Sequence, residues 1–359
     1  MTEHGKDGQY MEEALALARK GIGRTSPNPM VGALIVRKGR VIGRGYHARA
    51  GLPHAEIEAI KNARKSVQGA TLYVNLEPCA HWGRTPPCVD AVIHAGIARV
   101  VCAATDPNRQ VRGRGIAKLK RAGIKVSMGT RADEARNLNE IFYTYHEKRR
   151  PFVALKFAAS LDGKLATRAR DSKWITNAAA RAFARKLRSR YDAVLVGANT
   201  VLADDPHLGA RAKGRQDPLR VILDARLRIP LAARVLRDQN VLVAVSSRAP
   251  KSKKTRLMKR GIPVITFAGS TVPLRALLAE LQKRGITSVL VEGGGDVLGQ
   301  FLDARMADRV YAFYGPLLIG GGNAVGIGGK GTALIKNAPR LKTMSVTSFG
   351  TTLLVSGAL

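Results

Sequence analysis

Cysteine is scarce in this chain: three in 359 residues, too few for a disulfide-stapled scaffold. The N-terminal MTEHGKDGQY lacks the basic-then-apolar layout of an export signal. A cytoplasmic, reducing environment is therefore expected, and a disulfide between Cys79 and Cys88 is disfavoured. No apolar run approaches the roughly 20 residues that a membrane span needs, so no membrane partner is expected. Aromatics are only 5%, with no interleaved basic and aromatic pattern on which nucleobases would stack. Acidic residues are few as well, 26 against 60 Lys and Arg, a net charge of +34.

That charge is not a tail. Residues 1–150 carry 26 basic and 13 acidic side chains, and residues 151–359 carry 34 and 13. A densely basic, acid-free stretch is RAPKSKKTRLMKRG, 248–261. Such a field attracts polyanions without regard to sequence. A uniformly basic, solvated surface accounts for it better than a dedicated nucleic-acid partner. With 45% apolar residues and no excess of Gly or Pro, the chain is globular and long enough for two domains.

Periodicity divides it near YHEKRRPF, 145–152. The first part, residues 1–148, reads α-β-β-α-β-α-β-α-β-α, with a single polar helix predicted over 131–147. The second, residues 151–359, alternates again, with a strand over 152–158, a helix over 177–190 and paired strands at its end. The fold class expected is α/β in two domains.

Two of the three cysteines lie in one loop, EPCAHWGRTPPC, 77–88. A disulfide, a redox couple and half of a metal site are the competing explanations. His54-Ala-Glu56 opens a predicted helix, Pro78-Cys79 closes a strand and Cys88 starts another helix. One imidazole and two thiolates suit Zn²⁺ with a fourth position open to water, and Glu56 is left over to shuttle protons. H-x-E followed by P-C and a second cysteine is the pattern of nucleobase deaminases. Eight residues separate the cysteines here, where that pattern has two. A C-x-x-C redox pair does not fit this spacing, and Cys102 in VVCAAT reads as an ordinary buried cysteine.

TSPNPMVGALIV, GYHARAGLPHAE and LEPCAHWGRTPPC resemble the deaminase half of the bifunctional riboflavin-biosynthesis deaminase–reductase family. VALKFAASLDGK, SKWITN, TVLADDP and VEGGG resemble its reductase half. The resemblance implies a cytidine-deaminase-like domain followed by a dihydrofolate-reductase-like domain. It implies deamination of 2,5-diamino-6-ribosylamino-4(3H)-pyrimidinone 5′-phosphate, then NADPH reduction of the ribosyl to the ribityl group. It assigns zinc to His54, Cys79 and Cys88, proton transfer to Glu56, and the pyrimidine pocket to Asn28, His47 and His81. In the reductase half it assigns Lys156, Ser172, Arg188, Leu208, Arg211 and Glu292 to the substrate. Ala158, Trp174, Thr200, Asp204, Gly294, Gly295 and Asp296 are assigned to NADPH.

The residues themselves support these assignments unevenly. Three glycines between a strand and a helix suit a phosphate cradle, although VEGGG lacks the G-x-G-x-x-G spacing. Lys156 alternates with Val153, Leu155 and Phe157 and could face solvent; Arg188 lies on a basic helix face; Trp174 could be core. LGAR, 208–211, departs from the family's usual stretch and leaves its backbone open. Two rivals stand beside the bifunctional reading: a deaminase with a non-reducing second domain, and an RNA-directed nucleobase deaminase favoured by the charge. A symmetric homo-oligomer is expected.

Overall fold

The computed structural model describes residues 3–82, 86–211 and 217–359. The chain divides into two compact units, Met1–Arg149 and Arg150–Leu359.

The first unit holds a five-stranded sheet of β1 (Gly32–Arg37), β2 (Arg40–Tyr46), β3 (Thr71–Val74), β4 (Arg99–Cys102) and β5 (Lys125–Met128). Its order is β2-β1-β3-β4-β5. β1 runs antiparallel to both neighbours, and β3, β4 and β5 run parallel. The parallel part is fed by helices α3 (Cys88–His94) and α4 (Arg114–Arg121) as crossovers, as parallel strands require. α1 (Glu3–Ala18) buries Met11, Ala14, Leu15 and Ala18, the stripe its periodicity announces. α2 (Ala55–Lys61) lies directly on β2. A side chain at Gly45 would place its Cβ 2.2 Å from the Ala55 carbonyl oxygen, so only glycine permits that approach.

The predicted helix over 131–147 is two helices, α5 (Ala132–Leu138) and α6 (Glu140–Glu147). The break is Asn139, whose side chain is engaged elsewhere: Oδ1 accepts the Met30 N–H at 2.8 Å, and Nδ2 donates to the Met30 carbonyl at 2.9 Å. A tertiary bond of this kind leaves no trace in periodicity.

Among the described residues the second unit holds nine strands. They are β6 (Phe152–Ala159), β7 (Ala193–Gly197), β8 (Leu219–Leu223), β9 (Val241–Ser246), β10 (Val264–Phe267), β11 (Ser288–Val291), β12 (Arg309–Tyr314), β13 (Thr343–Phe349) and β14 (Thr352–Ala358). The order is β10-β9-β8-β7-β11-β6-β12-β14-β13. All are parallel as far as β12; the terminal hairpin β13–β14 adds antiparallel to it. The sheet is accompanied, among the described residues, by the helices α7 (Ala178–Arg188), α8 (Ala198–Asp204), α9 (Lys251–Lys259), α10 (Leu274–Lys283) and α11 (Gly295–Asp303). α8 has no counterpart in the sequence reading. Its ANTVLAD offsets Ala and Leu with Asn, Thr, Val and Asp, so propensity alone does not announce it, and it forms where β7 ends. Central strands β7 and β11 are buried at every position, as sheets covered on both faces demand.

Candidate active sites

In the first unit, one end of the sheet gathers the chemistry. His54 is the N-cap of α2, so its side chain leaves the helix at its start. Cys88 opens α3, and its N–H donates to Cys79 Sγ at 3.3 Å. His54 Nδ1 lies 3.1 Å from Cys88 Sγ and 3.6 Å from Cys79 Sγ, and all three ligand atoms fall within 4.8 Å of one another. Tetrahedral zinc with bonds of 2.0–2.3 Å puts neighbouring ligand atoms roughly 3.6 Å apart, so this set closes on zinc with little movement. All three cysteines are free.

The electrostatics fit a cation. The Cys88 thiol donates to Cys79 and holds it far below the usual thiol range, at about 4 despite burial, with His54 assisting. The same hydrogen bond pushes Cys88 up. The pair therefore keeps one thiolate and one proton, and a metal ion takes that proton's place. Glu56, in the first turn of α2, is 3% exposed, and its Oε2 has no partner. Burial, then the Cys79 charge, push its carboxyl up to about 7.

Beside the ligands, His47 follows β2, and its ring meets His54 edge-on at 5.1 Å. Its Nδ1 faces the Pro53 carbonyl at 3.1 Å, and a carbonyl can only accept. The proton therefore sits on Nδ1, and Nε2 accepts from Asn28 Nδ2 at 3.1 Å. Burial lowers the His47 pKa, which keeps the ring neutral. His81 lies two residues past Cys79 with a buried Nδ1 that has no partner. Cys102 is buried in β4, as expected of a core cysteine.

In the second unit, Glu292 follows β11 and is the centre of a buried cluster. Arg188, the last residue of α7, donates from Nε to Oε1 at 2.6 Å and from Nη2 to Oε2 at 3.1 Å. Lys156 Nζ of β6 lies 3.4 Å from Oε2. Neither cation is the solvated surface charge that its isolated sequence context permits: the Arg188 side chain is 17% exposed and that of Lys156 18%. Arg188 Nη1 also donates to the Gly209 carbonyl, which ties in the 208–211 loop. There Leu208 is buried in the left-handed region (φ 61°), so its backbone is the part a ligand could meet. Arg211 is exposed.

A separate cavity of about 380 Å³ opens where α8 and α11 begin, lined by Thr200, Gly294 and Asp296 among others. The Gly294 N–H donates to Thr200 Oγ1 at 3.1 Å. A Cβ at Gly294 would meet nothing closer than that oxygen at 3.6 Å, an ordinary van der Waals contact. At Gly295 a Cβ would collide with the Gly326 carbonyl at 2.0 Å, so the helix start is packed tight behind the cradle. Backbone N–H groups at a glycine-lined helix start suit a dinucleotide phosphate. Trp174 is 66% exposed and stacked by Arg181 at 4.2 Å, which rules out the core alternative. Asp204 pairs with Lys173 at 3.6 Å, next to that indole. Ser172 is half-buried, and Ala158 lies two residues beyond Lys156 on β6.

The region described as the cytidine and deoxycytidylate deaminase zinc-binding region matches residues 4–104, and the RibD C-terminal domain matches residues 151–355. The riboflavin biosynthesis protein RibD of Aquifex aeolicus is 44% identical over 350 residues, covering 97% of each chain. The chain belongs to the RibD family. It is a bifunctional enzyme, a zinc-dependent deaminase followed by an NADPH-dependent reductase. RibD of Acinetobacter baumannii superposes with a TM-score of 0.90 at 38% identity, covering 99% of both chains. A diaminohydroxyphosphoribosylaminopyrimidine deaminase/5-amino-6-(5-phosphoribosylamino)uracil reductase from Thermotoga maritima superposes at 0.86 and 40% identity, again over 99% of both. The RibD architecture thus carries both constellations on one chain, which sets aside a deaminase with an inert second domain. Among the described residues no helix is long and apolar enough to cross a membrane.

Sequence reasoning passed over Glu77 and the arginines after β8. Glu77 precedes Pro78-Cys79 and accepts four backbone N–H groups, from Asp106, Gly113, Gly115 and Ile116. Arg226 and Arg228 line the cavity at the starts of α8 and α11. A basic pair does not stand out among 60 basic residues.

Proposed function

We propose that the first unit deaminates a diaminopyrimidine ribosyl 5′-phosphate and that the second reduces the ribosyl group of the product to ribityl. The carrying observation is the pairing of a His54–Cys79–Cys88 set and an orphaned Glu56 oxygen with a Lys156–Glu292–Arg188 cluster on one chain.

Zinc at His54, Cys79 and Cys88 supplies a water activated near neutral pH. Glu56, whose carboxyl is pushed up to about 7, would take one proton of that water at Oε2 and pass it to the ring nitrogen, and would then carry the water's second proton to the departing amine. The Asn28 amide, oriented by neutral His47, meets the polar edge of the base, and His81 Nδ1 supplies a further contact from the 81 loop.

In the reductase, NADPH supplies the hydride. The glycine-lined start of α11, with Thr200, Asp204 and Asp296, orients it, and Trp174 and Ala158 border the nicotinamide side. Lys156 and Glu292 face the ribose, and Arg188 keeps Glu292 ionised. Ser172, the Leu208 backbone and Arg211 receive the 5′-phosphate end, where a guanidinium can bind two oxygens at once.

The working enzyme is a cytoplasmic homo-oligomer on this reading. The free thiols support a reducing compartment. β13 is an edge strand exposed along nearly its whole length, with Met344 and Val346 uncovered. No charged residue occurs from 343 to 359 in a chain of net charge +34. An uncharged edge is where a second, equally basic copy can approach without repulsion. The remaining charge is a solvated surface with sequence-independent affinity for polyanions rather than a nucleic-acid site.

Ammonia release and NADPH oxidation, followed separately on the diaminopyrimidine substrate, test the reading. Ammonia is expected first and NADPH loss after it, with Glu56→Ala abolishing ammonia release while still reducing supplied deaminated substrate. Ammonia without NADPH loss overturns the reductase half; ammonia from RNA alone overturns the substrate.

A further inference from the structure

Residues 29–31 lie between Asn28 and β1 and belong to no strand. The antiparallel ladder of β1 and β3 ends at the Ala33–Val74 pair. Beyond that pair, two side-chain amides take the place of a strand partner. Asn75, the first residue after β3, accepts the Gly32 N–H on Oδ1 at 2.8 Å and donates from Nδ2 to the Met30 carbonyl at 3.0 Å. Asn139 accepts the Met30 N–H at 2.8 Å and donates to the same carbonyl at 2.9 Å. It exchanges both bonds with Met30, as the opposite residue of an antiparallel strand would. A carbonyl oxygen has two lone pairs, so that of Met30 serves both amides. Both asparagines are buried. An apolar side chain of the same size could fill either place but would satisfy none of these backbone groups.

The grip is passed on to the wall of the deaminase site. Asn28 stands between Pro27 and Pro29. Proline fixes its own φ and confines the residue before it, so little torsional freedom separates Asn28 from Met30. The Asn28 N–H is tied to the Thr25 carbonyl at 2.7 Å. His47 hangs from the same stretch, its N–H donating to the Val31 carbonyl at 2.9 Å. The 3.1 Å bond from Asn28 Nδ2 to His47 Nε2 therefore joins two side chains whose backbones are both anchored to residues 30–32. A shift of that backbone moves the Asn28 amide and the ring that orients it.

We propose that Asn75 and Asn139 are positioning residues of the deaminase, holding the 30–32 backbone so that the Asn28 amide is presented to the pyrimidine. Both act through Asn28 rather than on the base. This rests on the reading of Asn28 as a contact to the base and adds the residues that place it.

Steady-state ammonia release by the zinc-loaded full chain tests it, using Asn75→Ala and Asn139→Ala alone and each combined with Asn28→Ala. Zinc content of about one per chain reports an intact metal site in every variant. Each single variant should lower kcat/KM for the diaminopyrimidine substrate roughly 10- to 100-fold, mostly by raising KM, the loss expected when a positioned contact shifts by about 1 Å. Asn28→Ala should show a loss of similar size. In the double variants the losses should not multiply: with Asn28 gone, removing Asn75 or Asn139 should cost only a few-fold more. A role confined to stability would not produce that coupling. Losses that multiply at full zinc, unchanged kinetics in both single variants, or a loss that tracks zinc content overturns the proposal and leaves the Asn28 contact standing. Wild-type KM in Asn28→Ala overturns the contact and the proposal together. If the alanine variants do not fold, Asn75→Ser and Asn139→Ser, which keep a small polar group at each place, carry the same comparison.

Discussion

Arg188 grips Glu292 with both arms of its guanidinium, at 2.6 and 3.1 Å, inside the second unit. Burial pushes the Glu292 carboxyl up, but Arg188 and Lys156 outweigh it and hold it at about 2, against an ordinary 4.5. A depressed carboxylate contributes stability that is complete above the unfolded value and is lost as pH falls through the folded one. The reductase unit is therefore expected to hold its near-UV signal from pH 7 to about 4.5 and to lose this contribution only between there and about 2. Glu292→Gln should flatten that part of the acid transition. A wild-type loss centred well above pH 4.5 that the variant leaves in place would show that the pair does not govern it.

Removing only the cation is more costly. Arg188→Met leaves Glu292 buried with Lys156 alone at 3.4 Å. Breaking one side of a buried pair costs about 3–5 kcal/mol. The variant should lower the thermal midpoint of the reductase transition and stop NADPH oxidation while ammonia release continues. Parallel loss of both activities would show that the damage is global.

Cys79→Ser and Cys88→Ser address the other constellation. Each removes one of three protein ligands, so zinc content measured by atomic emission should fall from about one per chain to a small fraction. Ammonia release should fall with it, and reduction of supplied deaminated substrate should continue. Cys102→Ser, a buried cysteine outside the set, should keep its zinc. Zinc retained in both ligand variants would place the metal elsewhere.

How much of this was legible beforehand depends on whether a residue's role travels with its neighbours in sequence. His54, Glu56, Cys79 and Cys88 could be read because zinc chemistry needs those residue types at helix and strand ends, and the chain shows both ends. Periodicity reported the sheets because buried faces repeat. It could not report Asn139, which breaks a helix to serve Met30 across 109 residues, nor α8, a seven-residue helix whose Ala and Leu are offset by Asn, Thr, Val and Asp. Lys156 and Arg188 were ambiguous because a basic residue on a strand or helix looks the same paired or solvated. Only Glu292, brought from a distant strand end, decides it. Arg226 and Arg228 were hidden by the abundance of their own kind.

Glu77 provides a prediction that no motif suggests. Its carboxylate gathers four N–H groups around the start of α4, directly before Pro78-Cys79 in the loop that follows β3. Glu77→Ala leaves those donors buried and unpaired, at about 1–3 kcal/mol each before relaxation. Gly115→Ala attacks the same joint from the other side, because its Cβ would lie 2.1 Å from the Pro78 carbonyl. Both should lower the thermal midpoint of the first unit and speed zinc loss to a chelator, since Pro78 moves with Cys79. Gly322→Ala, where a Cβ meets nothing within 4 Å and φ is not positive, serves as the neutral control. If Gly115→Ala keeps wild-type zinc off-rates while losing stability, the joint holds the fold together and has no part in holding Cys79 on the metal.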